Sequence, residues 1–217
     1  MLTPQSISEQ LLFVTLRLKT SNGLGTGFIM NFSSGSDKAI PVIVTNKHVV
    51  NNLKSENVQF HLHTGSNKIP LDENISLNYK STWIFHPDDR IDLCCTPFGP
   101  IIHEIKANQS KEIFFSQISE DLIWDDENLE KLNVVEDILM VGYPIGLYDK
   151  KHNLPLIRRG ITSSHPALDF DGKSVGLIDT ACFPGSSGSP IFIVNDGGYS
   201  DKRGNTVMGP SDQSWIY

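Results

Sequence analysis

Short runs of apolar or alternating residues recur along this chain, each closed by Gly, Pro, Asn or Asp. In the first half they are "LLFVTLRLKT", "GTGFIMNF", "IPVIVTNKHVV", "NVQFHLHT", "STWIFHP" and "DLCCTPF"; later come "DILMVGYPI", "LPLIRRGITS", "SVGLIDTACF" and "SPIFIVND". Their length, β-branched content and turn punctuation predict strands of an all-β barrel or sandwich. Residues 101–133 change character: "KEIFFSQISEDLIWDDENLEKLN" mixes helical spacing with acid and reads as a connector between two β halves. Its carboxylate run is expected to be a solvated face. The expected domains are therefore 1–100, the connector 101–133, and 134–217.

Composition narrows the functions. The chain has 217 residues, 39% hydrophobic and 20% charged, enough for a proper core. A net charge of −7, with 18 basic residues in no long block, argues against general nucleic-acid binding. No stretch approaches the ~20 apolar residues of a membrane span, and the N-terminus lacks the parts of a signal peptide. Three cysteines, Cys94, Cys95 and Cys182, are not the pattern of a disulfide scaffold. The expectation is a cytoplasmic protein with reduced thiols and no membrane or nucleic-acid partner.

The stretch "CFPGSSGSPIF" over 182–192 offers chemistry. A serine on a tight Gly turn, between backbone N–H groups, can act as a nucleophile with an oxyanion hole in its own loop. It needs a base and a carboxylate. Among seven histidines, His48 has the best setting, at the end of the β-branched run "VTNKHVV". His61 and His63 share a strand face, but no further ligand cluster lies nearby, so no metal site is expected. For the carboxylate, Asp92 stands between Ile91 and Leu93 in "DDRIDLCC", with Asp137 and Asp179 similarly flanked. A carboxylate inside an apolar strand needs a partner.

Chain order separates the possibilities. No histidine follows Ser187, and Ser189 breaks the G-x-S-x-G elbow, which removes the serine, acid, histidine order of α/β-hydrolases. Only Asp37 precedes His48, so an acid-first order is poorly served. The order His, Asp, Ser remains.

With "GTGFIM", "VTNKHVV", "RIDLCC", "VGYPIG", "RRGITSS" and "DTACFPGSSGSP" in order over nearly the whole chain, the sequence resembles the trypsin-like (chymotrypsin-fold) serine peptidases. Within them it looks most like the bacterial branch of high-temperature-requirement proteases. The resemblance implies two packed antiparallel β-barrels of six-stranded type. His48 and Asp92 would sit on the first barrel and Ser187 on the second. It also implies a serine endopeptidase acting on protein or peptide substrates, without cofactor, through an acyl-enzyme. Ser187 would be the nucleophile, His48 the general base and acid, Asp92 its orienting carboxylate, and the N–H groups of Gly185 and Ser187 the oxyanion hole.

By the same resemblance, Ala181, Cys182, Phe183 and Pro184 would line the pocket for the side chain before the cut. Trypsin keeps an aspartate where this chain has Ala181, so small or apolar residues are expected there rather than Lys or Arg. Ser186 stands where vertebrate-type members carry an acid that pairs with a freed N-terminus, so zymogen activation of that kind is not expected. Only residues 188–217 follow the serine, short for a complete second barrel. The competing expectation is a silent or regulatory module of the same fold, completed by a partner; "GNTVMG" and "QSWIY" are the candidate closing strands.

Overall fold

A computed structural model describes residues 3–21, 23–33, 39–194, 199–200, 206–207 and 213–216. Two compact units form. Unit 1 comprises Met1–Glu120, Val141–Leu156 and Cys182–Ser189; unit 2 comprises Asp121–Met140, Ile157–Ala181 and Pro190–Tyr217. The expected connector 101–133 is divided between them, and the serine segment groups with the unit that carries His48.

Unit 1 is built on an antiparallel sheet. Its strands are β1 (Thr15–Thr20), β2 (Gly23–Ser33), β3 (Ala39–Thr45), β4 (Ser55–Ser66), β5 (Ile69–Thr82), β6 (Ile84–Phe85) and β7 (Cys94–Pro97), in the order β5-β4-β1-β2-β3-β7-β6. Two short strands join it: β8 (Glu112–Phe114) pairs with β4, and β9 (Ile118–Ser119) runs parallel to β2. A short helix, α1 (Ile7–Leu11), precedes β1, and α2 (Gly99–Gln109) follows β7.

Alternation does the folding. In β1, Leu16 and Leu18 point inward, and in β4 Val58, Phe60 and Leu62 do the same. They meet Ile29, Ile43, Trp83, Phe98, Ile101 and Ile105 in one core, α2 supplying the last two. Burying each such side chain contributes about 1.5–3 kcal/mol. The sequence pattern places most of these strands, but β5 escapes it: "LDENISLNYK" carries only every second residue inward, Ile75 and Leu77, with Ser76, Asn78 and Lys80 exposed. As an end strand of the sheet, β5 faces water with its polar half, so no apolar run betrays it.

Unit 2 carries the second antiparallel sheet, in the order β12-β11-β10-β13-β16. Its strands are β10 (Asp137–Gly142), β11 (Leu156–Thr162), β12 (Ile178–Asp179), β13 (Ile191–Val194) and β16 (Gln213–Ile216), with β14 (Tyr199–Ser200) and β15 (Thr206–Val207) paired apart. A smaller core of Leu132, Ile138, Met140, Ile191 and Ile193 lies on it. The candidate closing segment "QSWIY" does supply a strand, β16 running antiparallel to β13 from Ile191↔Ile216 to Val194↔Gln213. The run "SVGLIDTACF" yields only the two residues of β12, and most of it is exposed. The architecture is mostly β, two antiparallel sheets, as expected from the alternation.

Candidate active site

His48 sits where β3 ends. After Thr45 the chain turns into a single 3-10 turn, Lys47–Val50, closed by Asn51 in the left-handed region at φ 55°. Asn tolerates that conformation better than other non-glycine residues. Val49 and Val50 are buried and pin the turn to the core, which leaves His48 exposed on the other side.

Asp92 holds this turn from a neighbouring loop. Its backbone carbonyl accepts from Asn46 Nδ2 at 2.7 Å and from Lys47 N at 3.3 Å. Its carboxylate accepts from His48 N through Oδ1 at 3.2 Å and from His48 Nδ1 through Oδ2. An imidazole whose Nδ1–H is given to a carboxylate keeps Nε2 as the free, basic nitrogen. Lys47 is buried and adds a further brace, its Nζ donating to the Asp88 carbonyl at 3.3 Å. Asp88 is itself pulled down to a pKa of about 2 by the Arg90 guanidinium.

The setting of Asp92 corrects one expectation. It is not inside an apolar strand: it precedes β7, and its side chain is 46% exposed. The adjacent cysteines do not shield it: Cys94, the first residue of β7, is buried in the core, whereas Asp92 and Leu93 lie in the loop before the strand and are both exposed. The two alternative carboxylates lie in unit 2, where Asp137 is paired with Arg159 at 2.6 Å and Asp179 is exposed at the start of the pocket stretch.

The serine loop is fixed by a residue that the motif reading did not single out. Thr26, fully buried in β2, donates its N–H to the Ser187 carbonyl at 2.9 Å and its hydroxyl to the Gly185 carbonyl at 3.0 Å. The same hydroxyl accepts from Tyr143 N at 3.1 Å, and Thr45 Oγ1 donates to the Thr26 carbonyl at 2.7 Å. Gly185 and Gly188 take φ 90° and 82°. A Cβ on Gly188 would lie 2.0 Å from the Thr26 carbonyl oxygen, so glycine is required there. Thr26 is visible in the sequence only as the middle of "GTG".

Three serines compete within this loop. Ser186 is buried and its Oγ accepts from Phe183 N at 3.3 Å; Ser189 Oγ is buried against Gly142. Ser187 alone of the three lines a small cleft of about 120 Å³ together with His48, Val49, Leu24, Gly23 and Thr20. Among the described residues, the N–H groups of Gly185 and Ser187 take part in no hydrogen bond, and none joins His48 to Ser187. Catalytic hydrogen bonds are often long in a site without substrate. Of the expected pocket residues, Ala181, Cys182, Phe183 and Pro184 are all exposed, and the Ala181 carbonyl accepts from Arg158 NH1 at 2.9 Å.

The model of the trypsin-like peptidase domain matches residues 25–198. The chain belongs to this family. The peptidase domain also resembles solved serine protease structures at low identity. The active form of the Rv3671c protease from M. tuberculosis shares 15% identity over 97% of this chain and 78% of its own, with a TM-score of 0.45. The scabies mite inactivated protease paralogue S-I1 shares 16% over 95% and 91%, at 0.49. The thermostable serine protease AL20 from an extremophilic microorganism shares 12% over 96% and 93%, at 0.45. No curated protein matches the domain's sequence. No helix among its described residues is long and apolar enough to cross a membrane.

Proposed function

We propose that this chain is a serine endopeptidase that cleaves protein substrates through Ser187, His48 and Asp92. The observation that carries the reading is that the Asp92 carboxylate accepts a hydrogen bond from His48 Nδ1 while Ser187 shares the cleft of His48. Ser187 Oγ attacks the scissile carbonyl as its proton passes to His48 Nε2, and the imidazolium that forms is stabilised by Asp92. The N–H groups of Gly185 and Ser187 receive the oxyanion, each donor being worth roughly 100–1,000-fold in rate. His48 then gives its proton to the leaving amine, and water, activated by the same nitrogen, releases the acyl group.

The side chain before the cut is small or apolar in this reading. Ala181, where the resemblance puts trypsin's aspartate, is uncharged, and its carbonyl already accepts from Arg158, so nothing there supports a Lys or Arg side chain. The motif spellings favour the bacterial branch of high-temperature-requirement proteases. Hydrolysis of unfolded casein by the purified chain tests the function: turnover that Ser187→Ala and His48→Ala each abolish supports it.

A second reading, a protease-fold module without turnover, draws on one observation. No hydrogen bond joins His48 to Ser187 among the described residues. A folded chain that hydrolyses no casein under any condition of pH or salt favours this reading.

A further inference from the structure

Away from the cleft, unit 1 carries a groove of about 540 Å³ between the β4–β5 hairpin, α2 and β8. Its apolar lining includes Ile102, Ile113 and Phe115, and three lysines stand around it: Lys68, Lys106 and Lys111. Lys111 is paired with Glu73 at 2.9 Å, whereas the ion pairs of the described residues leave Lys68 and Lys106 without a carboxylate. Three cations converging on one apolar groove are unusual in a chain with a net charge of −7.

Two backbone features sharpen the picture. Lys68 occupies the two-residue turn between β4 and β5, where Asn67 and Lys68 both take positive φ, 51° and 62°. Such turns favour Gly at the second position, because any Cβ there crowds the following carbonyl. The turn therefore holds a lysine at the groove's rim at some expense in stability. On the other side runs β8, which pairs with β4 on one edge and, among the described residues, with no strand on the other. An open edge is a template for an added strand.

We infer that this groove docks an extended acidic segment of a partner protein. The segment would add to the free edge of β8, lay its apolar side chains on Ile102, Ile113 and Phe115, and set its carboxylates against Lys68, Lys106 and Lys111. Alternation along an extended strand sends its side chains to opposite sides, so a pattern of acid and apolar residues matches lysine rim and apolar floor together. Glu112, in the lining, and Glu73, on Lys111, are like charges that such a segment meets, so Lys68 and Lys106 are its main cations. The inference is independent of peptidase activity, because the groove shares no residue with the His48 cleft.

The test is fluorescence anisotropy on the full chain with a fluorescein-labelled peptide that alternates Asp or Glu with Leu or Phe. Saturable binding that weakens as salt rises is expected, with no binding of the same peptide carrying Lys in place of the acids. Reversing the rim charges in the Lys68→Glu/Lys106→Glu variant should weaken binding about tenfold or more. Glu112→Lys should strengthen it. All three positions are exposed, and unchanged circular dichroism and urea midpoints confirm that the variants fold. No saturable binding, equal binding of the lysine peptide, or binding unaffected by charge reversal would overturn the inference. So would capture of phosphatidylglycerol vesicles with no capture of peptide, which would make the groove a lipid contact.

Discussion

Thr26 and Ser187 are joined backbone to backbone, the Thr26 N–H donating to the Ser187 carbonyl at 2.9 Å, so the serine loop is anchored to β2. The Thr26 hydroxyl makes a second anchor on the Gly185 carbonyl and satisfies Tyr143 N at the same time. Thr26→Val keeps the volume but leaves those two buried groups unpaired, a loss of about 2 kcal/mol. Displacing the Gly185–Ser187 turn should also cut kcat/KM about 100-fold, a measure of what small misplacements cost. Thr26→Ser should restore most of both. Urea midpoints and peptide hydrolysis for the three proteins check this; a Val variant with full activity would show that the hydroxyl does not position the loop.

Gly188 allows that anchoring. At φ 82°, with its missing Cβ site 2.0 Å from the Thr26 carbonyl oxygen and 2.4 Å from Thr45 Oγ1, it has no room for a side chain. Gly188→Ala should destabilise unit 1 by about 2–4 kcal/mol and remove turnover. Gly99→Ala, where a Cβ meets nothing within 4 Å, should change stability by no more than about 0.5 kcal/mol. Equal stability of the two variants in thermal melts would contradict the packing described for the serine loop.

The order of His48, Asp92 and Ser187 was legible because the residues around each are local signals. A β-branched run stops before His48, and glycines bracket the serines. The supports were not legible. Thr26 and Asn46 act across long stretches of chain, Thr26 on Gly185 and Ser187, Asn46 on Asp92, and a buried Thr or an Asn before a turn looks ordinary in sequence. Asp92 misled in the other direction: its apolar neighbours suggest a buried strand position, yet β7 begins only at Cys94, and Asp92 lies in the loop before it, beside the histidine turn and half exposed. The segregation of Ser187 with the first unit likewise follows from hydrogen bonds that no pattern announces.

His63 makes stability depend on pH. It is buried edge-on against Phe13 at 5.0 Å between ring centroids, and burial pushes its pKa down to about 4 from an ordinary 6.5. His61, on the same strand, is also lowered to about 4 by burial and by Arg17, which donates to its Nδ1 at 3.0 Å. Both are neutral in the fold, so the unfolded chain binds more protons between pH 6.5 and 4. Stability is therefore full above pH 6.5 and falls on acidification, by up to about 1.4 kcal/mol per pH unit for His63. Less is expected from His61, which is only partly buried. Urea denaturation at pH 7 and pH 5 should show the loss, and His63→Phe should flatten it; an unchanged slope in that variant would assign the effect elsewhere.

The cysteines should separate by reactivity. Cys94 is buried, with its thiol pushed up to about 12, while Cys182 is exposed. A native chain treated with iodoacetamide should be modified at Cys182 first and at Cys94 only after unfolding, since the thiolate is the reacting form. Peptide mapping after timed quenching checks this; early modification of Cys94 would show that its strand opens readily.

The central claim is that Ser187 is an activated nucleophile, and labelling by a fluorophosphonate probe tests it most directly. Mass spectrometry of the labelled full chain should find the phosphonyl group on Ser187 and on neither Ser186 nor Ser189. His48→Ala should suppress labelling and Asp92→Asn should slow it. A folded chain that takes up no probe, or a Ser187→Ala variant that is labelled as fast as the parent, would contradict the account.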